Sequence, residues 1–161
     1  MRTLYPALIL LLICGLGACA NSDYFEKTAL ASEQNAMIYI YRPAASNPGK
    51  KPLITSYPEI LVDDNSAGML KYNHYLTLEL PPGDHEIVAT GLTRDARWKP
   101  EDRRYKLRTE AGQSYFMRFR VEYNTDNMSI GSFRDNYLIH LHAVDESEAV
   151  YEIRHTSKSN S

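Results

Sequence analysis

Cysteine is nearly absent from this sequence, and its two positions restrict the chemistry that the rest of the chain can perform. Cys14 and Cys19 both lie among the first 20 of 161 residues. No later cysteine is available for a disulfide, a thiolate metal site or a cysteine nucleophile. The remaining chain must therefore be stabilised by an apolar core, which a domain of about 120 residues can supply.

A surplus of positive charge is also missing. Lys and Arg number 18 against 20 Asp and Glu, a formal net charge of −2. Nucleic-acid binding proteins carry a basic surplus, so we expect no nucleic-acid partner. The Gly-x-Ser-x-Gly, His-Glu-x-x-His and phosphate-loop patterns of common enzymes do not occur, and we predict no catalytic residues, no metal and no cofactor.

The first 18 residues have the composition of an export signal. Arg2 provides a positive start, Leu8–Ile13 an apolar centre, and Gly15–Ala18 a run of mostly small residues. The apolar stretch Leu4–Ala20 contains a proline and falls short of the roughly 20 residues of a membrane-spanning helix. Cleavage after Ala18 is therefore preferred to an uncleaved membrane anchor.

Leu16-Gly17-Ala18-Cys19 directly follows this apolar run and resembles the lipobox of bacterial lipoproteins. Cys14 does not fit, because the bulky Ile13 precedes it where the motif has a small residue. The resemblance implies acyl chains on Cys19, each buried methylene contributing about 0.8 kcal/mol to membrane attachment. Ala20 after the cysteine implies the outer membrane by the sorting rule of such lipoproteins. We therefore expect a lipid-anchored protein of the bacterial envelope.

Composition divides the chain into four parts. A signal peptide at 1–18 precedes the lipidated cysteine and a polar segment at 19–35, which predicts a flexible tether. A folded domain is predicted at 36–155, and a disordered tail at 156–161.

Short strands separated by turns dominate the pattern of the domain. Ala36–Arg42 is an apolar run stopped by Pro43, which is typical of a strand buried on both faces. Tyr115–Tyr123 and Tyr137–Ala143 alternate between apolar and polar residues, as half-buried strands do. Further strands are predicted at Leu53–Ser56, Ile60–Asp63, Met69–Lys71, Tyr75–Leu80, His85–Thr90 and Tyr105–Thr109.

Two turns carry recognisable chemistry. Pro81-Pro82-Gly83-Asp84 predicts a tight turn, and a hairpin between the strands that flank it, because glycine takes a positive φ at low cost. Asp63-Asp64-Asn65 offers oxygen ligands of the kind that calcium binds, but the spaced acidic residues and closing glutamate of a calcium loop are missing. A plain hairpin turn is the preferred interpretation of this second motif.

One helix is predicted near the end of the chain. Asp145 and Glu148 have capping-box spacing, and Ala149–Ile153 carries an apolar stripe. Together with the strands, this pattern predicts an all-β fold, a small antiparallel β-sandwich of about seven to eight strands with one short C-terminal helix.

Several segments, in their order along the chain, resemble a family of bacterial lipoproteins known as domain of unknown function 2846. The resemblance covers about Ala36 to Arg154 and implies a sandwich similar to the transthyretin-like and PEGA-type domains of cell surfaces. It implies no activity and no catalytic residues. The matching segments are Ile38–Pro43, Ile60–Asp63, Leu78–His85, Glu110–Phe116 and Asp145–Ala149.

Polar side chains on two predicted strands form a candidate binding face. Arg118, Arg120 and Glu122 share one side of their strand, and His140 and His142 share one side of another. If the two strands pair, two histidines and a carboxylate form a possible metal-ligand set, although the neighbouring arginines would repel a cation. A solvated surface is preferred, followed by a site for an anion or acidic partner, and then by a metal site.

A charged loop between residues 94 and 104 contains Arg97 and Trp98, the only tryptophan. Arginine and exposed aromatic residues often anchor binding surfaces. A solvated loop whose tryptophan covers a sheet edge is the simpler interpretation.

These patterns favour a non-catalytic envelope lipoprotein whose domain binds or assembles with an envelope protein or polymer. The alternative is a ligand- or metal-binding accessory protein that uses the face of Arg118, Arg120, His140 and His142. An envelope hydrolase is the third hypothesis, and it requires carboxylates that converge in a deep cleft.

Overall fold

Alternating apolar and polar residues fold into two stacked β-sheets. The computed structural model describes residues 25–44, 54–91, 102–123 and 137–159. The all-β prediction is confirmed, with nine strands and one helix in the described residues. They are β1 (Ala36–Arg42), β2 (Glu59–Val62), β3 (Asn65–Met69), β4 (His74–Leu80), β5 (Gly83–Thr90), β6 (Arg103–Thr109), β7 (Ser114–Tyr123), β8 (Tyr137–Val144), α1 (Glu146–Ile153) and β9 (Ser157–Lys158).

The strands form one five-stranded sheet, in the order β8-β7-β1-β4-β9, and one four-stranded sheet, in the order β3-β2-β5-β6. An apolar core fills the space between them. Ile38 and Ile40 of β1, Phe119 of β7 and Ile87 of β5 are fully buried there. Ile38 and Ile40 are two residues apart in β1, so both point to the same side of their sheet.

The opposite face of the five-stranded sheet is covered as well. Helix α1 packs on it through Ala149 and Ile153, which belong to a second core with Tyr39, Tyr41 and Phe116. Every residue of β1 is consequently buried. The uninterrupted apolar run of this strand correctly predicted that it is covered on both faces.

Two strand pairs depart from the antiparallel arrangement that the sequence predicted. β1 runs parallel to β7, with Ile38 opposite Tyr115, and β9 runs parallel to β4. The other pairs are antiparallel. Parallel neighbours require a long crossover connection, and the chain between β1 and β7 supplies all of the four-stranded sheet.

The predicted hairpin at Pro81-Pro82-Gly83-Asp84 is wrong. The chain bends at Pro82 and Gly83 has a φ of 149°, but β4 and β5 lie in different sheets. Leu80, the last residue of β4, pairs with β1, whereas Gly83 pairs with β6. A proline-glycine sequence favours a local change of chain direction, but it does not determine which strands pair.

The hairpin turn predicted at Asp63-Asp64-Asn65 is confirmed. Asp63 and Asp64 have φ values of 49° and 63°, and the flanking residues Val62 and Asn65 pair across β2 and β3. Positive φ at both central residues is the geometry of a two-residue hairpin loop, and Asp adopts it more readily than most residues.

The strand predicted at Leu53–Ser56 is wrong for its described part, since residues 54–56 form no strand and Leu53 lies outside the described residues. The buried Ser56 carbonyl instead accepts a hydrogen bond of 2.7 Å from Nη1 of Arg42. The Arg42 guanidinium is itself buried, and this burial lowers its pKa to about 10.

The segment before β1 is folded onto the domain. Phe25 lies edge-on to the rings of Tyr39, Tyr75 and Phe116, with centroids 5.1, 5.3 and 6.4 Å away. Edge-to-face geometry of this kind is favourable for aromatic pairs. The prediction of a flexible tether that extends to residue 35 is therefore wrong, because the folded part of the chain includes Phe25.

The Glu79 carboxylate binds the part of this segment that lies nearest to β1. Glu79 of β4 accepts hydrogen bonds from the main-chain N–H groups of Ala31 and Ser32 at 3.0 and 2.9 Å, and from the Asn35 amide at 3.1 Å. The bond from Ala31, followed by that from Asn35, lowers the pKa of Glu79. Charge-assisted bonds of this kind are among the stronger ones in proteins.

The disordered tail predicted at 156–161 is wrong for its described residues. Ser157 N donates to Asn73 O at 3.0 Å and Ser159 N donates to Tyr75 O at 2.8 Å, which places β9 along β4. Serine and lysine carry little strand propensity, so main-chain bonding to an available sheet edge forms this strand.

Helix α1 begins where the sequence placed it. Asp145 occupies the N-cap in an extended conformation, but its side chain makes no capping hydrogen bond. The predicted cap position is therefore right, and the predicted bond is absent. Across the described ranges, no helix combines the length and apolar character needed to span a bilayer.

Candidate functional site

Strands β7 and β8 bring the predicted polar residues together. In their antiparallel register Arg118 faces His142, Arg120 faces His140, and Glu122 lies one step further along β7. These side chains point away from the inter-sheet core, because their neighbours in the alternation, such as Phe119, are buried in it. The five residues lie on the α1 side of the sheet.

Helix α1 covers the half of this face that contains Arg118, and it binds this residue. Only 12% of the Arg118 side chain is exposed, and its Nη1 contacts Glu148 Oε1 at 2.6 Å and Glu152 Oε1 at 2.9 Å. Burial alone would lower the pKa of Arg118. The bonds to the two glutamates together outweigh this effect and raise the pKa. Arg118 thus holds the helix against the sheet.

Tyr41 of β1 completes this arrangement. Its hydroxyl donates a hydrogen bond of 2.7 Å to Oε2 of Glu152, and its ring is fully buried. Burial, together with the neighbouring carboxylate, raises the pKa of Tyr41. We refer to Tyr41, Arg118, Glu148 and Glu152 as the helix clamp, because they join β1 and β7 to two consecutive turns of α1.

His142 is bound to the clamp as a neutral base. Its Nε2 lies 2.9 Å from Nη2 of Arg118, and a guanidinium can only donate, so this nitrogen is the acceptor. Burial, followed by the charges of Arg118 and His140, lowers the pKa of His142. The lone pair that a metal would need is already occupied by Arg118.

The other half of the face remains open to solvent. Arg120 and Glu122 form an exposed ion pair of 2.8 Å, and His140 is exposed beside them. Leu138 of the same edge is 41% exposed. Because these side chains are exposed, this half of the face is available for contacts with another molecule. Exposed ion pairs also contribute little to stability, so such a contact could replace this one at small cost.

A groove of about 490 Å³ lies beside the clamp, between β7, β8 and the first turn of α1. Arg118 and His142 contribute to its lining, and so do the carboxylate residues Asp145, Glu146 and Glu148. Both charge signs are therefore present. Within the described parts of the chain, no group of three or more His, Cys, Asp or Glu residues has a metal-binding arrangement.

A second histidine has a structural position at a corner of the sandwich. His85 is buried, and its Nδ1 and Nε2 lie 2.6 Å from Asp63 Oδ2 and 2.8 Å from Pro81 O. Both nitrogens face acceptors, so the imidazolium satisfies both bonds. Burial lowers its pKa, but the bonds to Asp63 and Pro81 raise it overall. Nε2 faces a carbonyl and not a hydroxyl, so His85 is not positioned as a general base that would activate a hydroxyl nucleophile.

Sequence reasoning missed Glu152 and assigned Glu148 only to the helix cap. The two glutamates are four residues apart, so they lie on the same side of a helix. That spacing, next to the apolar stripe of Ala149 and Ile153, was the available signal for an ion pair with the sheet. Four predicted site residues, Ala18, Cys19, Arg97 and Trp98, lie outside the described residues.

Two stacked sheets and a helix clamped to one of them define a β-sandwich domain. The chain belongs to the family DUF2846, whose description is protein of unknown function, through a match over residues 32–133. This match ends before β8 and α1, so the Asp145–Ala149 segment of the resemblance lies beyond it. The comparisons with curated proteins and with solved structures gave no match.

Proposed function

We propose that this protein is an outer-membrane lipoprotein, anchored by acyl chains on Cys19, whose sandwich is a non-catalytic binding or assembly module for an envelope protein or polymer. The observation that carries the proposal is the lipobox-like Leu16-Gly17-Ala18-Cys19 at the end of an apolar run. Because Phe25 docks on the domain, only five residues separate Cys19 from the described part of the chain, so the anchor would hold the domain close to the membrane.

Three described histidines support a binding module over an enzyme. His85 and His74 direct ring nitrogens at main-chain carbonyls, and His142 accepts from Arg118. Each is used to hold the fold. The open half of the face, with Arg120, His140 and the exposed Leu138, is the candidate contact surface, because it combines charge with an apolar side chain.

The anchor is tested by replacing each cysteine separately. In Cys19→Ser we expect the protein to leave the membrane fraction and to carry no fatty acid by mass spectrometry. Cys14→Ser is the matched control, since it lies in the segment that processing would remove, and it should keep both properties. Membrane retention of Cys19→Ser, without fatty acid on the unaltered protein, would contradict the proposal.

The contact surface is tested with a photo-crosslinking residue in intact cells. Placed at Arg120, it should give a discrete adduct that disappears when Cys19→Ser removes the protein from the membrane. Placed at Lys106, on the outer side of β6, it should give none. Equal adducts from both positions would contradict the assignment of this face.

The groove beside the clamp has both charge signs in its lining and favours a second candidate function, a ligand-binding accessory protein. A metal-binding form of this alternative would require His142 to release Arg118. Titration of the mature protein with zinc, followed by the NMR signals of His140 and His142, tests the metal form of this hypothesis. No change at micromolar zinc would exclude it, whereas a change that His142→Gln abolishes would favour it over the binding-module proposal.

A further inference from the structure

The described chain begins beside a group of aromatic and cationic side chains. The main-chain N–H of Phe25 lies 3.4 Å from the carbonyl of Arg154, at the C-terminal end of α1. The Arg154 guanidinium lies 4.1 Å over the ring of Tyr151, and Tyr151 is 66% exposed. An exposed tyrosine paired with an arginine therefore adjoins the point where residues 1–24 join the domain.

A lysine lies one strand away from a tyrosine that Phe25 contacts. The Phe25 ring contacts Tyr75, and Tyr75 is paired with Lys158 across β4 and β9. Lys158 is exposed. We call Tyr151, Arg154 and Lys158 the exit patch, because Arg154 and the strand partner of Lys158 both contact Phe25 and Tyr151 stacks on Arg154.

Helix α1 separates its charges along its length. Its carboxylates Glu146 and Glu148 lie in the first turn, and Glu152 is bound to Arg118 and Tyr41. Its C-terminal end carries Arg154. Glu26, which follows Phe25 in the sequence, is an exposed acid, and the exit patch itself contains two cations and an aromatic ring.

The chain between Cys19 and Phe25 is short. Six Cα–Cα steps span at most about 22 Å even when fully extended. If Cys19 is held in a bilayer, the surface around Phe25 must stay close to the headgroups. Tyrosine is favoured at this interface, and lysine and arginine near it are attracted to anionic lipids.

We propose that the exit patch rests on the anionic headgroups of the membrane that holds Cys19, so that the domain has a fixed face toward the lipid. This inference rests on the proposed acylation of Cys19. The open half of the candidate face, with Arg120 and His140, is then presented away from the acyl chains at the far edge of the sheet.

Single introduced cysteines test this orientation. Once the signal is removed and Cys19 is acylated, the mature chain has no other thiol, so Tyr151→Cys, Lys158→Cys and the control Lys106→Cys can each be labelled with a polarity-sensitive fluorophore. The lipidated full-length mature protein is reconstituted in vesicles of phosphatidylcholine and phosphatidylglycerol that contain a nitroxide-labelled lipid.

We expect the nitroxide to cause a loss of fluorescence at positions 151 and 158, and none at 106. An equal loss at all three positions, or no loss at 151 and 158, overturns the proposal when mass spectrometry shows fatty acid on the protein. If fatty acid is missing, it is the anchor at Cys19 that fails. Vesicles without phosphatidylglycerol should show a smaller loss at 151, in the variant that keeps both Arg154 and Lys158, and an unchanged loss would overturn the anionic headgroup as partner.

Discussion

The two faces of the five-stranded sheet are both covered, but by different kinds of contact. The inner face packs Ile38 and Phe119 against the second sheet, in a core made of apolar side chains. The outer face packs Tyr41 and Phe116 beneath a helix, and polar groups at its margin fix the position of that cover. Apolar area stabilises the first face, whereas directional and charged bonds determine which element covers the second.

The largest expected effect comes from the inner face. Phe119→Ala should lower the free energy of unfolding by about 3–5 kcal/mol, because it removes a buried ring and leaves a cavity. Urea denaturation followed by circular dichroism measures this loss, which should be insensitive to salt. A loss below that of the clamp variants would contradict the ranking of the two faces.

The clamp on the outer face should have the next largest effect. Arg118→Met should lower the free energy of unfolding by about 2 kcal/mol, since Glu152 loses a charged partner at a site with little exposure. Arg120→Met is the matched control on the same strand, and its exposed pair with Glu122 should contribute below about 0.5 kcal/mol. Similar losses in the two variants would show that α1 is not held by Arg118.

A single hydroxyl should contribute less than the arginine. Tyr41→Phe keeps the buried ring and removes the hydrogen bond to Glu152, so we expect a loss of about 1 kcal/mol. Hydrogen exchange of the α1 amides should rise more than that of β2 and β5. Uniform acceleration across the molecule would mean that the bond does not act through the helix.

The smallest expected effects on stability concern two histidines, whose contributions depend on pH in opposite directions. The folded pKa of His85 is raised above 6.5, so its contribution to stability is present below that pH and is lost as the pH rises through the folded value. The folded pKa of His142 is lowered, so its contribution is present above pH 6.5 and is lost as the pH falls.

Urea titrations at about pH 5 and about pH 8, the range in which histidine titrates, compare His85→Gln with His142→Gln. The first substitution should cost more at the lower pH and the second more at the higher pH. Dependence of the same sign in both variants would contradict the assignment of a charged His85 and a neutral His142.

The sequence predicted the inner face better than the outer one, because each depends on different information. Alternation in Tyr115–Tyr123 is a local pattern, and it correctly identified the apolar side of β7. The hairpin at Pro82-Gly83 was wrong because pairing depends on distant strands. The docking of Phe25 depends on rings contributed by β1, β4 and β7, and no local pattern reports their convergence.

The candidate site shows the same limit. Arg118 and His142 were correctly placed on one face, since strand periodicity specifies it. The binding of Arg118 by Glu148 and Glu152 was not predicted, because it requires α1 to fold back over β7. Likewise β9 depends on main-chain bonds from Ser157 and Ser159, which side-chain patterns do not indicate.

The parallel pairing of β1 with β7 has a consequence for how the chain acquires its structure. β1 is the first of the described strands to be synthesised, yet Ile38 gains its second neighbour only when Tyr115 has been made. Topologies dominated by such distant pairings fold on the order of milliseconds to seconds, and their unpaired apolar strands are prone to aggregation meanwhile. β1, which is buried along its whole length in the finished molecule, therefore keeps one unpaired edge until β7 has been made.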